Sequence, residues 1–234
     1  MMKAAIQELK ERIDPEKAAF FPRFFRTGPG EYGEGDLFLG ITVPNLRQVA
    51  KRHAPRLSVE DLEKLLQSPY HEIRLFALIV MTMQYEKGDK KAKEQLVKLY
   101  LQNLHRINNW DLVDTSAHKI IGAHLYERDR GLLVDLAQRD HLWSQRISMI
   151  STLYFIQRGE YEDTLRIAEI LLDHPHDLIH KAVGWMLREV GKKDQSVEMK
   201  FLDKYYREMP RTMLRYAIER FDEDLRQSYL KGTR

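Results

Sequence analysis

The feature that most constrains this chain is the spacing of its apolar residues, which recur three and four positions apart along almost its whole length. This is the spacing of one face of an α-helix, and no segment shows the alternation of a half-buried strand. The pattern predicts helices at 3–13, 15–26, 42–53, 58–67, 70–86, 90–104, 109–126, 129–138, 141–157, 160–172, 176–191, 195–206 and 210–221. Because the breaks are short, consecutive helices are expected to pack as antiparallel neighbours.

Three of these helices resemble one another, since each carries a basic residue just ahead of an apolar run. The residues are Arg74, Arg146 and Lys181, separated by 72 and 35 positions. A period of about 36 residues, with one helix pair per unit, is typical of an α-solenoid. We therefore predict an all-α fold, a HEAT-like repeat α-α superhelix, as one domain over 1–234. An ordinary helical bundle with chance spacing is the alternative.

The composition of the chain excludes several classes of protein and of functional site. There is no Cys, which excludes disulfides, thiolate metal sites and a cysteine nucleophile. The formal charge is only +3, so a nucleic-acid surface would need Lys and Arg sorted onto one face. Residues 1–16 lack the apolar core of a signal peptide, and no stretch reaches the roughly 20 apolar residues of a membrane span. We expect a soluble, cytoplasmic monomer.

One irregular stretch, 27–36, contains four glycines and interrupts the helical pattern. It lacks the spacing of a phosphate-binding P-loop and no strand precedes it, so a nucleotide site is not expected. Two interpretations stay open for this loop: a flap beside a binding groove, or a passive connector.

The predicted 109–126 helix carries a tryptophan and a carboxylate four residues apart, Trp110 and Asp114, which places them on one helix face. Asp111 has a structural explanation, since an acidic residue in the first turn favours the helix dipole. Asp114 lies deeper, beside the apolar stripe, where a lone carboxylate is costly. It is either a functional carboxylate or the partner of a salt bridge to a neighbouring repeat, for example to Arg146.

A second tryptophan, Trp185, is predicted to lie opposite the apolar stripe of its helix, between Lys181 and Arg188. An aromatic ring flanked by cations is typical of nucleic-acid surfaces. The alternative is that Trp185 packs under a neighbouring repeat and the cations are solvated. Nearer the C-terminus, Arg211 and Arg215 either contact phosphate or belong to a solvated face.

Stacked repeats place equivalent helices side by side, so these groups are expected to converge on one concave surface. The set comprises Trp110, Asp114, Arg146, Lys181 and Trp185. Arg146 alternatively only extends along the apolar surface with its charged end in water. The histidines His174, His176 and His180 straddle a helix start without a supporting metal motif, so no metal site is expected.

Four motifs, taken together and in order, make the chain similar to the bacterial DNA alkylation repair glycosylases of the AlkD type. They are Asn109-Trp110-Asp111-Leu112-Val113-Asp114, Leu142-Trp143-Ser144-Gln145-Arg146, the run 181–189, and Phe38-Leu39-Gly40-Ile41-Thr42-Val43-Pro44. The similarity extends over essentially the whole chain. One departure is Asn109, where relatives can carry a second tryptophan.

The resemblance implies a HEAT-like superhelix that holds duplex DNA and excises N7-alkylated guanine and N3-alkylated adenine without a cofactor. By position, Asp114 would be the catalytic carboxylate, and Trp110 and Trp185 the aromatics beside the lesion deoxyribose. Arg146 would contact phosphate, and we expect the same of the other cations, Lys181, Arg188, Arg211 and Arg215. Some relatives bind DNA without excising, so a non-catalytic DNA-binding repeat protein is the second interpretation, and a protein-binding scaffold the third.

Overall fold

The helices of the N-terminal half surround one long, almost entirely buried helix. The computed structural model describes all residues, Met1–Arg234. The helices of this half are α1 (Met2–Lys10), α2 (Pro15–Phe24), α3 (Val43–His53), α4 (Val59–Leu66), α5 (His71–Lys87), α6 (Lys90–Gln102) and α7 (Trp110–Ala117). Helix α5 is apolar on nearly every side, as a helix enclosed by neighbours must be, and it packs against α3, α4, α6 and α7.

The C-terminal half is arranged around a second long helix, α13. Its helices are α8 (Ala123–Leu125), α9 (Gly131–Ala137), α10 (Leu142–Ser151), α11 (Leu153–Ile156), α12 (Glu162–Ile170), α13 (Asp177–Lys193), α14 (Gln195–Tyr205), α15 (Arg211–Ala217) and α16 (Glu223–Lys231). Helix α13 packs against α10, α12, α14 and α15. No β-strand forms, and Leu37 and Tyr70 make one isolated bridge. No helix has both the length and the apolar run needed to cross a membrane.

The chain divides into two compact units, Met1–Ile120 and Ile121–Arg234, which we call the N-terminal and C-terminal units. The boundary lies inside the predicted 109–126 helix, where the backbone adopts a π-helical turn over His118–Gly122. Whether the two units form the single domain predicted from the sequence is a separate question, and the single domain stays a prediction.

The predicted helix map was wrong in two places. The 109–126 segment is helical from Trp110 to Leu125, as predicted, but it winds as a π-helical turn over His118–Gly122, and a Cβ at Gly122 would collide with the Ser151 carbonyl. The 141–157 helix breaks at Thr152, whose hydroxyl donates to the Met149 carbonyl at 2.7 Å. Helix α16 was missed because Tyr229 is its only buried residue, which leaves almost no apolar pattern to detect.

Two of the three basic residues that suggested a repeat, Arg74 and Arg146, make equivalent contacts in their own units, whereas Lys181 pairs with Asp177 on its own helix. In the N-terminal unit Arg74 donates to the Arg106 carbonyl, and in the C-terminal unit Arg146 donates to the Leu178 carbonyl. Each bond spans 32 residues and reaches the segment where a later helix begins. Both side chains are buried, at 1% and 5% exposed. The repeat therefore has a structural basis: a buried arginine that ties one helix to the start of a later one.

The 38–44 motif binds a buried carboxylate. The backbone N–H groups of Leu39, Gly40 and Ile41 donate to Glu72 at 3.0, 2.7 and 3.2 Å, and Glu72 is only 2% exposed. Gly40 adopts φ +77°, and a Cβ there would collide with the Asp14 carbonyl. The three hydrogen bonds compensate for burying the charge, so this motif stabilises the start of α5.

We predict that Glu72→Gln lowers the free energy of unfolding by about 1.5–3 kcal/mol, since the amide oxygen still accepts but the charge that strengthens the three bonds is lost. Urea denaturation measures this loss. The matched control is Glu63→Gln on the exposed side of α4, expected to change stability by about 0.5 kcal/mol or less. Equal stabilities for the two variants would contradict a stabilising role for Glu72.

Candidate functional site

Trp110 and Asp114 both lie on α7, half-buried and one helical turn apart. Asn109 caps the helix, and its side-chain oxygen accepts from the Trp110 N–H at 2.8 Å. A spacing of four residues places the indole and the carboxylate on the same face of the helix, as predicted. The two groups can therefore act on one bound molecule within the N-terminal unit.

Phenylalanine rings surround the Trp110 indole. The Phe25 ring stacks on it with centroids 5.6 Å apart, and the Phe24 ring meets it edge-on at 5.9 Å. Phe25 stacks in turn on Phe38 at 5.2 Å and is buried, whereas Phe24 is 52% exposed. Such offset and edge-to-face pairs fix ring orientation. The sequence analysis missed this cluster, although Phe20, Phe21, Phe24 and Phe25 recur at helical spacing.

A buried histidine lies beside the cluster and joins two carboxylates. His71 Nε2 is 2.8 Å from Asp111 Oδ2, and His71 Nδ1 is 3.3 Å from Asp36 Oδ2. Burial alone would lower the pKa of His71, but the charges and hydrogen bonds of Asp111 and Asp36 outweigh it and raise the pKa to about 9. His71 is therefore an imidazolium at neutral pH. Asp111 does more than favour the helix dipole, because it also holds this cation.

Arg74 completes the buried network from the opposite side of Asp36. Its Nη2 donates to Asp36 Oδ1 at 2.6 Å and to Asn108 Oδ1 at 3.0 Å. Burial would raise the pKa of Asp36, yet His71 and Arg74 hold it below its usual value. Asp36 ends the glycine-rich stretch 27–36, so this end of the loop is fixed in the core.

The surroundings of Asp114 combine the buried phenol of Tyr100 and the half-buried imidazole of His118. Burial raises the pKa of Tyr100 above its usual range, and the nearby Asp114 charge adds to that effect. The Tyr100 hydroxyl is hydrogen-bonded to Ser116 Oγ at 3.0 Å. Burial lowers the pKa of His118 to about 4, so this ring is neutral at physiological pH. The Asp114 charge therefore acts on the Tyr100 phenol, while Asp114 itself stays half-buried.

In the C-terminal unit, Trp185 is half-buried on α13 and its indole is oriented by a carboxylate. The Nε1–H group donates to Glu189 at 3.0 Å, and Lys192 lies 2.6 Å from the same oxygen. The flanking cations are ion-paired: Lys181 lies 2.7 Å from Asp177, and Arg188 pairs with Glu219. This face is polar, as predicted, but much of its positive charge is already neutralised.

The predicted phosphate contacts differ in exposure. Arg146 is buried and donates to the Leu178 carbonyl, which gives it a structural contact. Arg211 is exposed and donates to the Leu230 carbonyl at 3.1 Å. Arg215 is exposed and makes no hydrogen bond or ion pair. Of these three, Arg215 is the one fully available to a phosphate without rearrangement.

The histidines near the start of α13 serve the local backbone and neighbouring side chains. His174 is 2.9 Å from the Gln145 side chain, and His180 is hydrogen-bonded to the His174 carbonyl. Burial lowers the pKa of His174 and of His176. No group of three or more His, Asp or Glu side chains is arranged to hold a metal ion.

A family model described as DNA alkylation repair enzyme matches residues 5–221. The chain belongs to this family. A solved structure described as "Predicted DNA alkylation repair enzyme from Enterococcus faecalis" is similar to it with a TM-score of 0.70 and 16% identity, covering 91% of this chain and 98% of that chain. At this identity the likeness shows the fold, and it confirms the predicted all-α repeat class. No curated protein matches the sequence.

Membership in the DNA alkylation repair enzyme family gives this protein a role in the repair of alkylation damage, with DNA as its partner. Two of the motifs that carried the sequence resemblance have different roles in the structure. The 38–44 segment is structural, since it binds Glu72. The 109–114 segment presents Trp110 and Asp114 on one helix face.

We predict that stability depends on pH through His71. Its folded pKa, about 9, exceeds the unfolded value near 6.5, so its stabilisation is complete below pH 6.5 and is lost as pH rises through 9. The shift corresponds to about 3 kcal/mol. Other groups titrate in this range, so the measured quantity is the difference in unfolding free energy between wild type and His71→Gln at pH 6 and pH 9.5. The exposed His105→Gln is the control, and a difference independent of pH would contradict the charged histidine.

For Arg146 we predict a loss of stability of about 1–3 kcal/mol, because Arg146→Ala removes a buried guanidinium and its charge-assisted hydrogen bond to the Leu178 carbonyl. Arg215→Ala should leave stability unchanged and reduce the slope of log affinity against log salt for duplex DNA by about 1. Urea denaturation and salt-dependent DNA titration measure the two effects. If Arg146→Ala instead kept full stability and reduced the salt slope, Arg146 would be a phosphate contact, as the resemblance implies.

Proposed function

We propose that this protein is an alkylpurine DNA glycosylase, which initiates base excision repair by hydrolysing the N-glycosidic bond of 7-methylguanine and 3-methyladenine in duplex DNA. The observation that carries the proposal is the pairing of a half-buried indole, Trp110, with a carboxylate, Asp114, on one face of α7. The reaction needs water and no cofactor. The proposed enzyme acts as a monomer.

The chemistry of the lesion suits these groups. A purine alkylated at N7 or N3 carries a positive charge and leaves readily, so its departure needs little acid catalysis. The sugar left behind develops oxocarbenium character, which a carboxylate stabilises by charge. In this proposal Asp114 also orients the attacking water at the anomeric carbon, as a general base. The base leaves with the electron pair of the glycosidic bond, and water supplies the new hydroxyl.

The indole of Trp110 contributes an electron-rich face toward the cationic sugar, a cation–π attraction that strengthens when water is excluded. Its ring is held in place by Phe25 and Phe24. A group already oriented loses no conformational entropy when the transition state forms. Trp185, whose N–H donates to Glu189, is proposed as a DNA-contacting aromatic of the C-terminal unit, the role that the sequence resemblance implies.

Duplex binding is assigned to cations of the C-terminal unit. Lys181 and Arg188 would exchange their present partners, Asp177 and Glu219, for phosphate oxygens. Arg215 is exposed and can bind phosphate directly, and Arg211 would exchange its bond to the Leu230 carbonyl for one to phosphate. Contacts of this kind carry no base information, so they fix the position of the duplex and leave discrimination to the charge of the lesion.

We predict that Asp114→Asn folds normally, still binds DNA, and releases 7-methylguanine about 10²–10⁴ times more slowly. Asn keeps the shape of the side chain and removes the charge, so the variant separates electrostatics from packing. Binding should tighten slightly, because one negative charge near the phosphates is lost. Single-turnover base release and thermal melting are measured on the same preparation.

The matched control is Asp135→Asn, which removes one carboxylate from the exposed side of α9 and should release base at the wild-type rate. An Asp114→Asn variant that is folded and excises at the wild-type rate would remove Asp114 from the mechanism. A fall in activity that follows the unfolded fraction would make Asp114 a structural partner. A wild-type protein that binds duplex DNA but releases no base would identify a non-catalytic DNA-binding protein.

A further inference from the structure

The C-terminal unit contains a polar recess that takes no part in the proposed bond cleavage, and of its lining residues only Arg188 is assigned to DNA binding above. It lies between the end of α13, the start of α14 and the turn after α15, with a volume of about 200 Å³. This is many times the ~10–15 Å³ that one water needs. The side chains around it are mostly basic or polar: Arg188, Lys192, Gln195, Glu198, Arg220, with Gly191 and Phe221.

Two buried groups of this recess have polar atoms without a protein partner. Glu198 is 2% exposed, and its Oε1 has no hydrogen-bond partner. The Nε of Arg188 is likewise buried and without one, although its Nη1 pairs with Glu219. A buried polar atom left unpaired costs about 1–3 kcal/mol, so such atoms usually meet a ligand or water.

Gly191 leaves room for the Glu198 carboxyl. A Cβ at this position would collide with both the carboxyl carbon and Oε2, so the carboxyl occupies the space of the missing side chain against α13. Burial raises the pKa of Glu198 to about 8, and the nearby Arg188 opposes this only partly. At neutral pH the group is therefore a neutral carboxylic acid, which donates one O–H hydrogen bond.

The charges that face the recess favour an anion. Arg188 and Lys192 approach from α13 and Arg220 from the turn, while the acids Glu219 and Glu189 already pair with Arg188 and Lys192. Arg220 is exposed and makes no hydrogen bond or ion pair. A metal cation would be repelled by these three side chains, and an apolar ligand would leave the buried donors unpaired.

We propose that this recess binds a phosphate-class oxyanion, with Arg188 Nε and the Glu198 hydroxyl as buried donors and Lys192, Gln195 and Arg220 at the surface. A tetrahedral oxyanion offers acceptors to all five groups at once, and bonds to a charged acceptor are the strongest of their kind. The source is either a phosphodiester of DNA or a free phosphate group. Binding of the oxyanion does not depend on glycosylase activity.

The test uses the full chain and two probes, inorganic phosphate and sulfate, each compared with chloride at equal ionic strength. At pH 7 both probes should raise the melting temperature above that in chloride. Lys192→Gln and Arg220→Gln should each weaken sulfate binding several-fold. Lys193→Gln, the adjacent exposed lysine outside the recess, should not change it. No stabilisation over chloride, or equal binding by the Lys192 and Lys193 variants, would overturn the proposal.

Measuring sulfate binding at different pH values tests the role of Glu198. Sulfate stays a dianion across this range, so any change belongs to the protein. Deprotonation of Glu198 as pH rises from 7 to 9 should weaken sulfate binding about tenfold in wild type. Glu198→Gln, a neutral isostere that still donates, should bind at pH 7 and show no such loss at pH 9. A loss of equal size in both proteins would remove Glu198 from the site.

A competition arm separates the two sources. If the ligand is a DNA phosphodiester, undamaged duplex without terminal phosphates should displace sulfate, and Lys192→Gln should weaken duplex binding. Should such duplex leave sulfate binding unchanged, the ligand is a free phosphate group. None of these measurements uses damaged DNA, so a failure here is distinct from a failure to excise 7-methylguanine.

Discussion

The buried guanidinium of Arg74 is the interaction on which the N-terminal unit depends. It donates to the carbonyls of Ser68 and Arg106 and to the side chains of Asp36 and Asn108, so one planar group joins three separate stretches of chain. Such a pattern suits arginine alone, because its donors are fixed in one plane and its charge persists at any relevant pH. By binding residues on both sides of α5, it places the end of the glycine-rich loop against the start of α7.

Opposite charges and hydrogen bonds within the network compensate for the free energy of burying its charged side chains. Two basic side chains, His71 and Arg74, face two carboxylates, Asp36 and Asp111, so the charges of the network balance. Removing one member would leave an uncompensated charge, which makes the set cooperative. The aromatic cluster lies directly on it, since Phe25 contacts both His71 and Trp110. The orientation of the Trp110 ring thus rests on electrostatics beneath it as well as on ring packing.

Local pattern predicted most of this fold, and tertiary contacts explain the rest. Helix positions follow from apolar spacing, so the bounds of α3, α5 and α13 were nearly right. At Arg146 the sequence shows only a cation ahead of an apolar run. This pattern is the same for an arginine that contacts phosphate and for a buried arginine that hydrogen-bonds to another helix. Arg146 is buried against the Leu178 carbonyl, 32 residues away, and a local sequence pattern cannot predict such a distant contact. The Trp110 cluster was missed for the same reason, because the path of the 27–36 loop brings Phe25 to it.

Charge neutralisation around Trp185 bears on how this protein can bind DNA. Lys181 and Arg188 already have carboxylate partners, so a phosphate that reaches them replaces one anion with another. The net gain is smaller than for a free cation, and fewer counterions are released from the duplex. Arg215 and Arg220 have no such partners and lie at α15 and the turn after it. Among these four cations, Arg215 and Arg220 are therefore the ones that can meet a phosphate without first losing a carboxylate partner.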